Sequence, residues 1–149
     1  MKRLLCFVIS AVLFVAMAPV YANAESNMDV IYYEDGSYAT VEIIETTARV
    51  SGSKTANKPY TYYNSNGQIQ WKAVLTGTFS YTGSSATCTA ASMSVTIYDS
   101  SWYTISKSAT KSGNSATGSA TIGEKVLGVT VAKFPVSLTL SCDANGNLS

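Results

Sequence analysis

The sequence contains no histidine. That absence removes the side chain that most often works as a general base near neutral pH. It excludes Ser-His-Asp and Cys-His nucleophile activation and any zinc site built on imidazole. Charge is scarce as well: Asp, Glu, Lys and Arg make up 13% of the residues, and no basic cluster occurs among them. Neutralising phosphates takes Lys and Arg in number, so nucleic acid is not an expected partner. Electrostatic docking on anionic lipid is not expected either. Of three cysteines, one lies at position 6. The two that remain make no metal site without histidine, so neither a metal nor a cofactor is expected.

What is present begins with a leader. Lys2 and Arg3 precede an uncharged apolar run from Leu4 to Met17, Pro19 breaks it, and Ala22-Asn23-Ala24 offers a small-x-small cleavage site. These are the parts of a secretory signal peptide, Met1 to Ala24. The run is short for a membrane span, which takes about 20 apolar residues. The expected mature chain is a single domain, residues 25–149, long enough to bury its own core. It is secreted, extracellular, and has no membrane partner after cleavage. Eight basic and nine acidic residues remain in it, a net charge of −1.

Cys88 and Cys142 survive cleavage, and an even pair in an oxidising compartment reads as a disulfide. Closing a loop between residues 54 apart stabilises by on the order of 4 kcal/mol in the chain-entropy model. Two buried free thiols are the alternative.

The mature chain is rich in Tyr, Thr, Val, Ile and Ser, in runs separated by Gly, Asn, Asp and Ser, which is the pattern of strands and turns. The clearest strand is Gln68 to Tyr81. Trp71, Ala73, Leu75, Gly77, Phe79 and Tyr81 fall on one face, and period two over that length predicts a half-buried strand. Gly77 in its middle predicts a bulge, or a ring lying over the backbone. Further strands are expected over Asp29–Tyr33, Tyr38–Val50, Lys58–Tyr63, Ala86–Tyr98, Trp102–Thr110, Ser115–Ile122 and Val126–Cys142. The apolar side switches near Ala91-Ser92, predicting a bulge there. Asn64-Ser65-Asn66-Gly67 predicts a tight hairpin, and Gly123-Glu124-Lys125 a turn. About eight strands at this spacing predict an all-β fold, a single antiparallel β-sandwich, Ig-like or jelly-roll-like.

Function is less legible. Tyr60, Tyr62, Tyr63, Trp102 and Tyr103 are the candidate binding residues, because exposed aromatic rows on β-sandwiches stack on sugar rings. Packing the core or pairing across strands is the commoner use of such rings. No catalytic residues stand out. Glu34-Asp35, Glu42, Glu45, Asp99, Glu124 and Asp143 are scattered, and no spacing marks the facing pair that a glycosidase needs. Ser-Ala-Thr, recurring at Ser85, Ser108, Ser115 and Ser119, reads as strand composition, since its spacing is irregular.

Four segments carry a resemblance: Tyr32-Tyr33-Glu34-Asp35-Gly36-Ser37-Tyr38, Tyr62-Tyr63-Asn64-Ser65-Asn66-Gly67, Thr76-Gly77-Thr78-Phe79-Ser80-Tyr81 and Leu140-Ser141-Cys142-Asp143-Ala144-Asn145-Gly146. In these the chain resembles small secreted β-rich proteins of Gram-positive, clostridial-type bacteria. The resemblance implies a secreted bacterial protein and brings no assigned activity or catalytic residues. The expectation is therefore a secreted, non-enzymatic β-domain that meets a cell-wall glycan or a surface protein. The alternatives are a small hydrolase with a carboxylate pair drawn from Asp99, Glu42 and Glu45, and a toxin-like effector.

Overall fold

A computed structural model describes residues 28–50 and 52–149; the expected leader, residues 1–24, lies outside the described residues. The strands are β1 (Asp29–Tyr32), β2 (Tyr38–Val41), β3 (Ile44–Val50), β4 (Ser53–Tyr63), β5 (Ile69–Tyr81), β6 (Ala86–Ile97), β7 (Trp102–Ser112), β8 (Ser115–Val126) and β9 (Val129–Ser141). They form two antiparallel sheets. Sheet A runs β1-β2-β4-β5-β6, with β3 also paired to β4, and sheet B runs β7-β8-β9. The β6–β7 turn carries the chain from one sheet to the other. The all-β sandwich is therefore a meander, in which hairpins join neighbours without a Greek-key crossover.

The single strand expected over Tyr38–Val50 is interrupted between Val41 and Ile44. Both halves lie on the flank of β4 that faces away from β5. Val41 pairs with Tyr60 and Ile44 with Asn57, so the break falls opposite Lys58 and Pro59. Pro59 has no N–H to give a ladder, and the neighbouring strand breaks there. The strand expected over Lys58–Tyr63 begins earlier, at Ser53, and β4 itself runs unbroken through Pro59, which is paired with Val74 of β5.

The predicted face of β5 is the core. Trp71, Ala73, Leu75 and Phe79 are all fully buried. A Cβ placed on Gly77 would lie 2.7 Å from Phe79 Cζ and 3.2 Å from the Ala116 methyl. Of the two readings of Gly77, the ring over its backbone is found, though it belongs to Phe79 of the same strand; Gly77 itself pairs regularly with Ala91, and the bulge is in β6, where the register shifts between Thr78 and Phe79. That shift places the β6 bulge at Thr89, two residues before the expected position. It brings Cys88 inward on one side and Ala91, Met93, Val95 and Ile97 inward on the other.

Sheet B meets this core through small residues. Ala116 and Ala120 are buried, and a Cβ on Gly118 would lie 2.9 Å from both Leu75 Cδ1 and Met93 Sδ. The Ser-Ala-Thr repeats on β8 thus give an inner row of alanines that lets the sheets close on bulky residues opposite. Lys58 adds a polar tie, its ammonium donating to the Thr139 carbonyl of β9 at 2.8 Å.

Two expectations are corrected here. The chain does not turn at Gly123-Glu124-Lys125. A Cβ on Gly123 would fall 2.6 Å from the Tyr103 ring, so this glycine serves a close approach within β8. The turn lies at Leu127-Gly128, between the paired residues Val126 and Val129. The disulfide between Cys88 and Cys142 is absent, and both are free, buried thiols. Each sulfur is directed at a carbonyl close by in its own chain segment, Cys88 at Ala90 (3.3 Å) and Cys142 at Asp143 (3.5 Å). Burial raises the pKa of both thiols. Their amides hold the β7–β8 turn, Cys88 N–H donating to Gly113 and Cys142 N–H to Asn114.

Candidate functional site

The five aromatic candidates do not form one platform. Tyr60 and Tyr62 point inward and sandwich Trp71, with ring centroids 5.5 and 5.1 Å from it. Trp102 is also buried. Tyr63 is stacked against Tyr38 at 4.7 Å and 9°, with Tyr32 next in the row at 6.0 Å. Parallel rings at that distance spend their faces on each other and leave edges outward, so the row offers little flat surface to a sugar. Tyr103 lies over Gly123 on sheet B, its hydroxyl paired with Thr130 at 2.6 Å.

Tyr60 shows what burial does to such a ring. Its hydroxyl is hydrogen-bonded to that of Tyr33. Burial first, and then this bond and the neighbouring phenols, hold its pKa far above the ordinary tyrosine range. An unfolded tyrosine ionises near pH ~10, whereas Tyr60 in the fold stays protonated. Its contribution to stability is therefore complete below about pH 10 and is lost as the pH rises further. Denaturant titrations from pH 8 to 11.5 are expected to show this fall, and Tyr60→Phe should flatten it.

Tyr62 and Trp102 nevertheless share a site. Where the two sheets diverge beside the β4–β5 turn there is a pocket of about 180 Å³. Its wall is aromatic: Tyr62, Trp102 and Phe134 are mutually edge-on or tilted, with centroids 5.2–5.4 Å apart. Its remaining lining is polar, from Asp35, Ser37, Asn64, Ser65, Gln70 and Glu124.

Local sequence explains how these groups are held. In Asp35-Gly36-Ser37 the carboxylate caps its own turn, accepting from the Ser37 amide (3.0 Å) and hydroxyl (2.5 Å). Those bonds lower the pKa of Asp35 and keep it ionised. The Tyr62 hydroxyl donates to Ser37 Oγ at 2.9 Å, continuing the chain of bonds into the pocket wall. Asn64 Oδ1 accepts from the amides of Asn66 and Gln68, which closes the predicted hairpin. Gln70, the extra residue where the β4–β5 register shifts, is turned inward and accepts the Trp102 indole N–H at 3.2 Å. Burial raises the Tyr62 pKa; the Ser37 bond opposes this, and the nearby charges of Asp35 and Glu124 add to it.

Asp35 and Glu124 thus approach one phenol from opposite sheets. Of the carboxylates named for a hydrolase, Asp99 and Glu45 have local partners. Asp99 caps the β6–β7 turn through Ser101, and Glu45 is paired with Lys54 at 3.0 Å on β3. Among the described residues, no group of three or more His, Cys, Asp or Glu is placed to hold a metal ion. Of the pocket residues, the sequence shows Asp35 and Glu124 only as scattered carboxylates, and Ser37, Asn64, Ser65, Gln70 and Phe134 are not among its candidates. Asp-Gly-Ser is turn chemistry, but nothing local to it places Asp35 across from Glu124. A second depression, about 420 Å³ at the opposite end, is lined by Tyr81 and loop residues and carries no charged side chain.

No family model matches the chain, and neither a curated protein nor a solved structure does.

Proposed function

We propose that this is a secreted, non-enzymatic binding domain whose pocket takes a small polyhydroxylated group, such as the exposed end of a cell-envelope glycan. The observation that supports this is the composition of the pocket. Three aromatic rings form one wall, and two carboxylates, two amide side chains and two hydroxyls form the rest. Apolar ring surface with a few convergent polar groups is what a sugar's C–H face and hydroxyls require. The pocket is smaller than the usual ~300–1,000 Å³ ligand site, which suits one ring rather than a long chain. Asp35 stays ionised while it accepts from Ser37, which makes it an acceptor for a ligand hydroxyl. The leader-like segment Met1 to Ala24 and the resemblance to secreted bacterial β-rich proteins support a location outside the cell.

Retention of the purified protein on isolated Gram-positive cell walls and on soluble wall oligosaccharides is the test. Wild type is expected to bind, and Glu124→Gln to bind about tenfold more weakly, since a hydrogen bond to a charged group contributes about 1.5–3 kcal/mol. Ser65→Tyr, which fills the pocket from an exposed turn, should abolish binding without unfolding the domain. Unchanged binding by both variants would overturn the pocket as the site. Release of reducing ends from the glycan would overturn the non-enzymatic reading.

A further inference from the structure

The β8–β9 hairpin ends in an apolar tip. Leu127 is 99% exposed, and Val126, Val129 and Val131 beside it are 52%, 66% and 56% exposed. Leu127 also has φ 51°, the one positive φ outside glycine among the described residues, followed by Gly128 at 83°. Two central residues with φ > 0 make the turn that Asn-Gly favours. A leucine there is worse than asparagine both conformationally and in solvation. The other two-residue hairpin of this sheet, between Ser112 and Ser115, carries Gly113-Asn114. The β8–β9 tip therefore departs from a choice that the same sheet makes elsewhere.

Immediately behind the tip come cations and an amphipathic ring. Tyr103, Gly123 and Lys133 are paired in one row across the sheet, and Lys125 Nζ lies 5.4 Å from the Tyr103 ring centroid. Neither lysine makes an ion pair among the described residues, where the pair found is Lys54–Glu45. From the tip inward, Leu127, Val126 and Val129 come first, then Lys125 with Val131 close behind it, and then Lys133 and Tyr103 in one row. A polypeptide seated in a bilayer interface has this order, with apolar side chains among the acyl chains, ammonium groups at the phosphates and tyrosine at headgroup depth.

We infer that the β8–β9 tip is a shallow insertion finger for an anionic lipid surface. This inference is independent of the pocket. It revises the expectation of no lipid partner, which rested on net charge, because the charge that matters is local to the tip.

The test is flotation of the purified protein with vesicles of phosphatidylcholine alone and of phosphatidylcholine mixed equally with phosphatidylglycerol. Wild type should float with the anionic vesicles, and less so as salt is raised. Leu127→Asn should bind at least tenfold more weakly, while its unfolding midpoint is equal to or above that of wild type, since the turn is relieved. Lys125→Gln and Lys133→Gln should each weaken anionic binding about fivefold and leave neutral vesicles unaffected. No flotation of wild type, or equal flotation of Leu127→Asn, overturns the inference. A concentration-dependent dimer that Leu127→Asn abolishes, without vesicle binding, also overturns it and assigns the tip to a second copy of the chain.

Discussion

Trp71→Ala is expected to remove about 3–5 kcal/mol of folding stability, a large share of the ~5–15 kcal/mol a domain has in total. Trp71 is fully buried, and its ring is stacked nearly parallel between Tyr60 at 6° and Tyr62 at 14°. Truncation leaves a cavity bounded by rings of β4 that cannot both collapse into it, because Tyr62 is fixed through Ser37 and Tyr60 through Tyr33. Tyr62 also forms the pocket wall, so the same variant should lose ligand binding before it unfolds completely. The indole N–H of Trp71 is buried without a hydrogen-bond partner among the described residues. Trp71→Phe therefore sacrifices no hydrogen bond and should cost clearly less than alanine. Urea unfolding of the three proteins measures this. A loss below about 1 kcal/mol for alanine would mean that these rings are not the core.

Gly77→Val is expected to destabilise by about 1–3 kcal/mol or more, although valine has the higher strand propensity, worth up to ~1 kcal/mol in its favour. The two arguments have opposite signs, and geometry decides between them. The new Cβ would enter the Phe79 ring edge at 2.7 Å. Phe79 is itself fully buried and cannot swing to solvent, and Ala116 closes the other side at 3.2 Å. Relief would require the two sheets to separate locally. Gly77→Ala should show a smaller loss of the same sign. A valine variant as stable as wild type would show that Phe79 has room to move.

The two variants mark where local pattern suffices. Trp71, Leu75 and Phe79 could be assigned to the core because a strand with one buried face must repeat every second residue, and that period is written in consecutive positions. The Asn64–Gly67 hairpin was legible for the same reason: its backbone conformation depends on the residues within it. The switch of face in β6 was legible too, though it lies at Thr89 and not at Ala91-Ser92, because a bulge is placed by the partner strand as well as by its own residues.

Failures have a common physical origin in contacts between distant segments. Gly123 has the local signature of a turn, but Tyr103, twenty residues earlier in the chain, occupies the space of its missing side chain. The true turn holds a leucine at positive φ, which local preference argues against. Two cysteines at suitable separation looked like a bridge, but bonding depends on where each sulfur points within the packed sheets. The aromatic candidates were divided among the core and two outer faces, since adjacent strand residues point opposite ways and only packing says which way is in. Periodicity and turn chemistry act over a few residues and were enough for the strands. The pocket joins Asp35 of the β1–β2 turn to Glu124 of β8, and only the closure of one sheet on the other brings such groups together.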